Sequence, residues 1–169
     1  MSLVLVIMGV SGSGKTTVGE GLAERLGWPF FEGDDYHPEA NVEKMEQGEP
    51  LTDEDRRPWL ENLRDVIDHL VDEGRSGVIT CSALKASYRR VLREGREDTV
   101  RFVYLEGSYE VIRERMEQRK DHFFDAGMLK SQFEALEPPA QALTVRIDQP
   151  PGQTLGDIMR RLDLPPGPG

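Results

Sequence analysis

Only one cysteine, Cys81, occurs in the 169 residues, which rules out an internal disulfide and a cysteine-based metal site. A reducing, cytoplasmic setting is the expectation. Long hydrophobic runs are also missing: no apolar stretch approaches the roughly 18 residues of a membrane span. The apolar opening at residues 3–8 has no basic residue before it and runs straight into glycine, so it is not expected to act as an export signal. Positive charge is scarce as well. The 21 Lys and Arg against 31 Asp and Glu leave a net charge of -10, which repels a phosphate backbone and an anionic membrane. Nucleic acid and membrane surfaces are therefore not expected partners, although a locally basic cleft remains compatible with that balance.

What is present is alternation. Leu3 to Met8 is a continuous apolar run, as in a parallel strand covered on both faces. Val18, Leu22, Ala23 and Leu26 then recur at helical spacing, and Gly27 with Pro29 supplies a stop. Further strands are expected at residues 29–31, 77–80, 100–105 and 143–147. Helices are expected at 39–47, 53–73, 85–94, 109–118, 128–136 and 155–162. Strands alternating with helices define an α/β fold, a parallel sheet of about five strands with helices on both faces. The length suits one domain over residues 1–164, with a proline- and glycine-rich tail at 165–169 expected to be disordered.

Between the first strand and first helix, Gly9-Val10-Ser11-Gly12-Ser13-Gly14-Lys15-Thr16 matches the phosphate-loop pattern G-x-x-x-x-G-K-[ST] at every position. Glycines let backbone N–H groups curl around phosphate oxygens, and the helix that follows adds the positive end of its dipole. Lys15 would reach the β- and γ-phosphates of ATP, and the Thr16 hydroxyl would bind Mg²⁺. The Asn-Lys-x-Asp guanine reader of the switch GTPases is absent. No aspartate ends either the third or the fourth strand, where motor-type ATPases carry their metal carboxylate.

That carboxylate has to come from elsewhere, and Asp34, just past the second strand, is the candidate. There it can accept a substrate proton and orient water on Mg²⁺; equally, Asp34 and Asp35 can cap the next helix. Thr52 reads as an N-cap with Asp55 three residues on, which holds Arg56 either toward an anion or in a solvated surface pair. After the third strand, Ser82 and Lys85 stand near Arg89, with Lys85 and Arg89 at i and i+4 on one helical face. The alternative is a basic surface helix. Arg113, Arg115, Arg119, Lys120 and His122 form a local basic excess. They suit either a lid over ATP, with Arg115 and Arg119 at its phosphates, or a solvated face.

Several of these segments, together with others, resemble the gluconate kinases, a branch of the small P-loop kinases that includes the shikimate kinases. Beyond the phosphate loop, the resemblance is carried by Gly33-Asp34 with His37-Pro38, Asn41 with Lys44-Met45, Gly48 with Pro50-Leu51, and Asp55-Arg56 with Pro58-Trp59-Leu60. Residues 81–85, Tyr88-Arg89, His122-Phe123-Phe124, and Ser131-Gln132-Phe133 with Leu136-Glu137 continue it. The resemblance implies a three-layer P-loop kinase fold with a mobile lid around residues 119–127, commonly in a homodimer. It also implies transfer of the ATP γ-phosphate to the 6-hydroxyl of D-gluconate with Mg²⁺. On that reading Lys15, Asp34 and Arg119 are catalytic, and His37, Arg56, Ser82 and Lys85 join Asp34 around the substrate. The residues alone leave shikimate, a nucleotide, or a non-catalytic nucleotide switch as alternatives.

Overall fold

The computed structural model describes residues 2–118 and 126–164. Its strands are β1 (Val4–Met8), β2 (Phe30–Glu32), β3 (Gly77–Thr80), β4 (Val100–Glu106) and β5 (Leu143–Arg146). They form one sheet in the order β2-β3-β1-β4-β5, and every pairing is parallel. The helices are α1 (Lys15–Leu26), α2 (Glu39–Glu46), α3 (Asp53–Asp72), α4 (Ala86–Arg93), α5 (Tyr109–Glu117), α6 (Ala126–Ala135) and α7 (Pro151–Arg161).

Strand β1 shows why a sequence with no alternation makes a central strand. All five of its residues are fully buried. Leu5 and Ile7 enter the core beneath α1 and α7, while Val4, Val6 and Met8 enter the core beneath α3 and α4. Successive side chains point to opposite faces, so a strand covered twice needs apolar residues throughout. The chain runs from β1 to the edge strand β2, returns to β3 beside β1, then crosses to β4 and β5 on the other side. This reversal opens a crevice beyond the carboxyl end of β1, where open α/β sheets bind ligands.

Helix boundaries follow local chemistry. α1 ends at Gly27, which takes a left-handed conformation with its N–H turned back toward Ala23 and Glu24. α3 begins in a full capping box: Asp55 N–H donates to Thr52 Oγ1, and Thr52 N–H donates to the Asp55 carboxylate. α7 starts four residues earlier than its apolar spacing predicts, because Pro151 occupies the first helical position, where a missing N–H costs nothing. The 165–169 tail lies outside the described residues. No helix among the described residues is long and apolar enough to cross a membrane.

Gly33 sets the turn out of β2. A Cβ placed there would stand 1.8 Å from the Thr80 carbonyl oxygen and 2.9 Å from its carbon. Both are backbone atoms of β3, so neither can move without parting the strands. Gly33→Ala is expected to destabilise the protein by about 3 kcal/mol, at the upper end for overpacking. A urea unfolding curve checks this, and a midpoint equal to the parent's would show that the turn accommodates the methyl.

Candidate active site

The loop Gly9–Thr16 lies in the crevice beyond β1. Gly9, Gly12 and Gly14 all take positive φ, the last as the left-handed N-cap of α1, so the turn needs residues without Cβ. Lys15 Nζ donates to the Gly9 and Val10 carbonyls at 3.0 Å each, which keeps the ammonium over the loop. The loop adjoins a cavity of about 600 Å³ that extends to Ile147, Gln149 and Pro150 ahead of α7. Such a volume suits a small ligand. Arg115 borders this cavity and donates to the Ile147 carbonyl.

Thr16 Oγ1 donates to Glu32 Oε2 at 2.6 Å, and Thr80 Oγ1 donates to Glu32 Oε1 at 2.6 Å. Gly33 N–H donates in turn to Thr80 Oγ1 at 3.0 Å. The carboxylate on the loop threonine is thus Glu32, which the sequence reading left unassigned. The available signal was its position, the last residue of β2, at the strand end that faces the crevice. Among the described residues, no three metal-ligating side chains cluster. A hydroxyl and one carboxylate are hard oxygen donors, a set that fits Mg²⁺ held jointly with nucleotide phosphates rather than in a protein cage.

Asp34 follows in a 3-10 turn, Gly33–Tyr36, and is exposed. It does not cap α2, whose N-cap is Pro38 without a side-chain bond, and neither does exposed Asp35. Cys81, buried at the end of β3, has its thiol pushed up to about 12, chiefly by burial, and both Lys15 and Asp34 act on it electrostatically. The thiol stays protonated and inert.

A second group of polar side chains gathers around the start of α3. The His37 ring stacks on Trp59 with centroids 4.2 Å apart, and Trp59 Nε1 donates to the Gly33 carbonyl at 2.8 Å. Trp59 is buried in the core, and it also holds the turn that carries Asp34. Burial lowers the His37 pKa against the opposing pull of Asp34, with Arg56 lowering it further. Asn41 Nδ2 lies 3.2 Å from His37 Nδ1 and donates to the Asp55 carbonyl at 2.8 Å. An acceptor Nδ1 leaves the ring proton on Nε2. Lys44 pairs with Asp55 at 2.8 Å, and this bond, with the Thr52 N–H, lowers the Asp55 pKa to about 2.

Arg56 donates to the Leu51 carbonyl at 2.7 Å and to Tyr88 Oη at 3.3 Å, rather than to a partner in a solvated surface pair. Lys85 Nζ meets Asp53 at 3.0 Å. Tyr88 Oη donates to the same carboxylate, and this bond together with Lys85 lowers the Asp53 pKa. Arg56 and Lys85 each stand 5.6 Å from the Tyr88 ring centroid. Two cations, a carboxylate and a phenol thus form one cluster, and the His37 imidazole joins the same helix start through Trp59 and Asn41. Asp53 was not foreseen as a member, and Tyr88, part of the resemblance, was given no role at the site.

Lys85 and Arg89 do not share a helical face. Lys85 is the extended N-cap of α4, whereas Arg89 donates to the Ala83 and Glu137 carbonyls. The i, i+4 rule fails because the helix begins one residue too late. Ser82 contributes its carbonyl, which accepts Gly9 N–H at 3.3 Å. In the basic stretch, Arg113 pairs with Glu117 on an exposed face; Arg119, Lys120 and His122 lie outside the described residues.

A glycine loop at the switch point of a parallel sheet, its lysine and threonine in place, beside a separate polar cluster, defines a P-loop kinase. Residues 4–139 match the family model described as an AAA domain. The chain is 50% identical over 145 residues to the thermosensitive gluconokinase of Escherichia coli (strain K12), covering 85% of this chain and 77% of that one. It is 47% identical over 159 residues to the gluconokinase of Gluconobacter oxydans (strain 621H), covering 92% and 89%. The crystal structure of a gluconokinase from Sinorhizobium meliloti 1021 superposes with a TM-score of 0.85 at 43% identity, covering 95% and 91%. The chain belongs to the gluconokinase family.

Proposed function

We propose that this protein transfers the γ-phosphoryl group of ATP to the 6-hydroxyl of D-gluconate, forming 6-phosphogluconate and ADP. The observation that carries the proposal is the phosphate loop, exposed Asp34 and the Arg56–Lys85 cluster after successive strands of the sheet in a gluconokinase-family chain.

The N–H groups of the loop and Lys15 hold the triphosphate, and the adjoining cavity with Arg115 takes the nucleoside. Thr16 and Glu32 would hold Mg²⁺, which supplies charge neutralisation at the phosphates when bound. Arg56 and Lys85 meet the gluconate carboxylate. Asp53, Tyr88 and the His37 Nε2–H suit its hydroxyls, which require both donors and acceptors. The Lys85–Asp53 pair is solvent-exposed and worth little to stability, so substrate can displace it at small cost. Asp34 receives the proton as the hydroxyl oxygen forms its bond to phosphorus, and the bond from phosphorus to the β–γ bridging oxygen breaks to release ADP.

A coupled ADP-release assay with gluconate, shikimate and nucleoside monophosphates tests the assignment. Turnover confined to gluconate is expected, whereas turnover with another member of the panel alone would reassign the acceptor. In the same assay Lys85→Met should raise KM for gluconate by about 10-fold or more, the scale of a charge-assisted hydrogen bond, and leave KM for ATP unchanged. An unaltered gluconate KM would place Lys85 outside the substrate pocket.

A further inference from the structure

The phosphate loop is held from outside by a residue far along the chain. Ser11 N–H donates to Gln132 Oε1 at 2.7 Å, and Gln132 Nε2 donates to Ser11 Oγ at 2.8 Å. One carboxamide therefore engages both the backbone and the hydroxyl of one loop residue. The two bonds fix its orientation, since only oxygen can accept the N–H. Gln132 sits on α6, which also donates buried Leu129 to the core and sets Phe133 edge-on to Tyr109 of α5, with centroids 5.6 Å apart. From α5, Met116 closes on the next loop residue: a Cβ on Gly12 would stand 2.6 Å from Met116 Cγ.

Glycine-rich segments lose more conformational freedom on ordering than others. Gly9 N–H is tied to Ser82 after β3, while Ser13 N–H bonds Val10 and Lys15 bonds the Gly9 and Val10 carbonyls within the loop itself. The Ser11 N–H instead points away from the loop, to a partner 121 residues distant. No secondary-structure requirement of α6 demands that contact.

We infer that Gln132 is a positioning residue for the phosphate loop, its carboxamide holding Ser11 so that the N–H groups of Gly12 and of Gly14 to Thr16 are pre-set for the phosphates. The inference rests on the loop binding nucleotide phosphate, as proposed above. It does not depend on which acceptor is phosphorylated. A preset loop lowers the ordering cost of phosphate binding and leaves the nucleoside cavity untouched.

Binding of ADP and of adenosine, measured calorimetrically without acceptor, separates positioning from general support. Gln132→Met keeps side-chain length and removes both bonds. ADP affinity should fall about tenfold, the scale of one to two hydrogen bonds, while adenosine affinity holds. Ser11→Ala removes only the hydroxyl bond and should cost ADP about threefold. The double variant should match Gln132→Met alone, because the Ser11 hydroxyl bond is already gone.

Unchanged ADP affinity in Gln132→Met, a parallel loss of adenosine affinity, or additive losses in the double variant would each overturn the inference. If Gln132→Met unfolds at a lower temperature than the parent, Ser11→Ala decides: ADP must weaken against adenosine. Turnover with gluconate is not read in this experiment, so an error in the acceptor would leave its outcome intact.

Discussion

Lys15→Ala should lose turnover by about 10³-fold, the upper scale for removing one group that stabilises transition-state charge, and should still fold. Its ammonium bonds backbone carbonyls, those of Gly9 and Val10, at the mouth of the crevice. Water can solvate those carbonyls when the ammonium is removed, so the unfolding temperature should stay near the parent's. Lys15→Arg keeps the charge, but its planar fork cannot take the place of a compact ammonium inside a tight loop, and most turnover should be lost there too. Thermal unfolding and initial-rate assays on the two variants supply the check. Near-parental turnover in Lys15→Ala would remove the phosphate-transfer assignment altogether.

Asp34→Asn is expected to cut kcat by about 10²-fold or more, the scale of a positioned acid–base group, with little change in ATP affinity. Asn keeps the size and removes only the charge and proton affinity. Stability should hold, since Asp34 is exposed and α2 takes no side-chain cap from it. The neighbouring carboxylate separates two duties that the sequence placed on Asp34 alone. Because Glu32 accepts from both Thr16 and Thr80, Glu32→Gln should raise the Mg²⁺ concentration needed for half-maximal rate. Asp34→Asn should leave that concentration where it was. A stable, fully active Asp34→Asn protein would remove the proton-acceptor role, and a shift of Mg²⁺ dependence in Asp34→Asn alone would return the metal to Asp34.

Much of this was legible along the chain because the relevant chemistry is local. A phosphate loop is eight contiguous residues whose backbone does the binding, so Gly9 to Thr16 can be read without knowing any distant contact. The same holds for the β1 run buried on two faces and for the Thr52–Asp55 capping box. Each is decided by spacing within one element. The α/β class follows in the same way, from elements in alternating order.

Contacts between elements were decided by tertiary structure alone. Glu32 meets Thr16 because β2 lies beyond β3 at one edge of the sheet while its carboxyl end still faces the loop after β1. No local pattern distinguishes it from Asp34 two residues on. Lys85 and Arg89 looked paired by helical spacing, yet α4 starts after Lys85, which leaves one free to meet Asp53 and turns the other to the Glu137 carbonyl. Gln132 reaches Ser11 across 121 residues. Periodicity reports which face of an element is buried, whereas the partners across the crevice depend on strand order and helix placement, which only the packing of the whole chain determines.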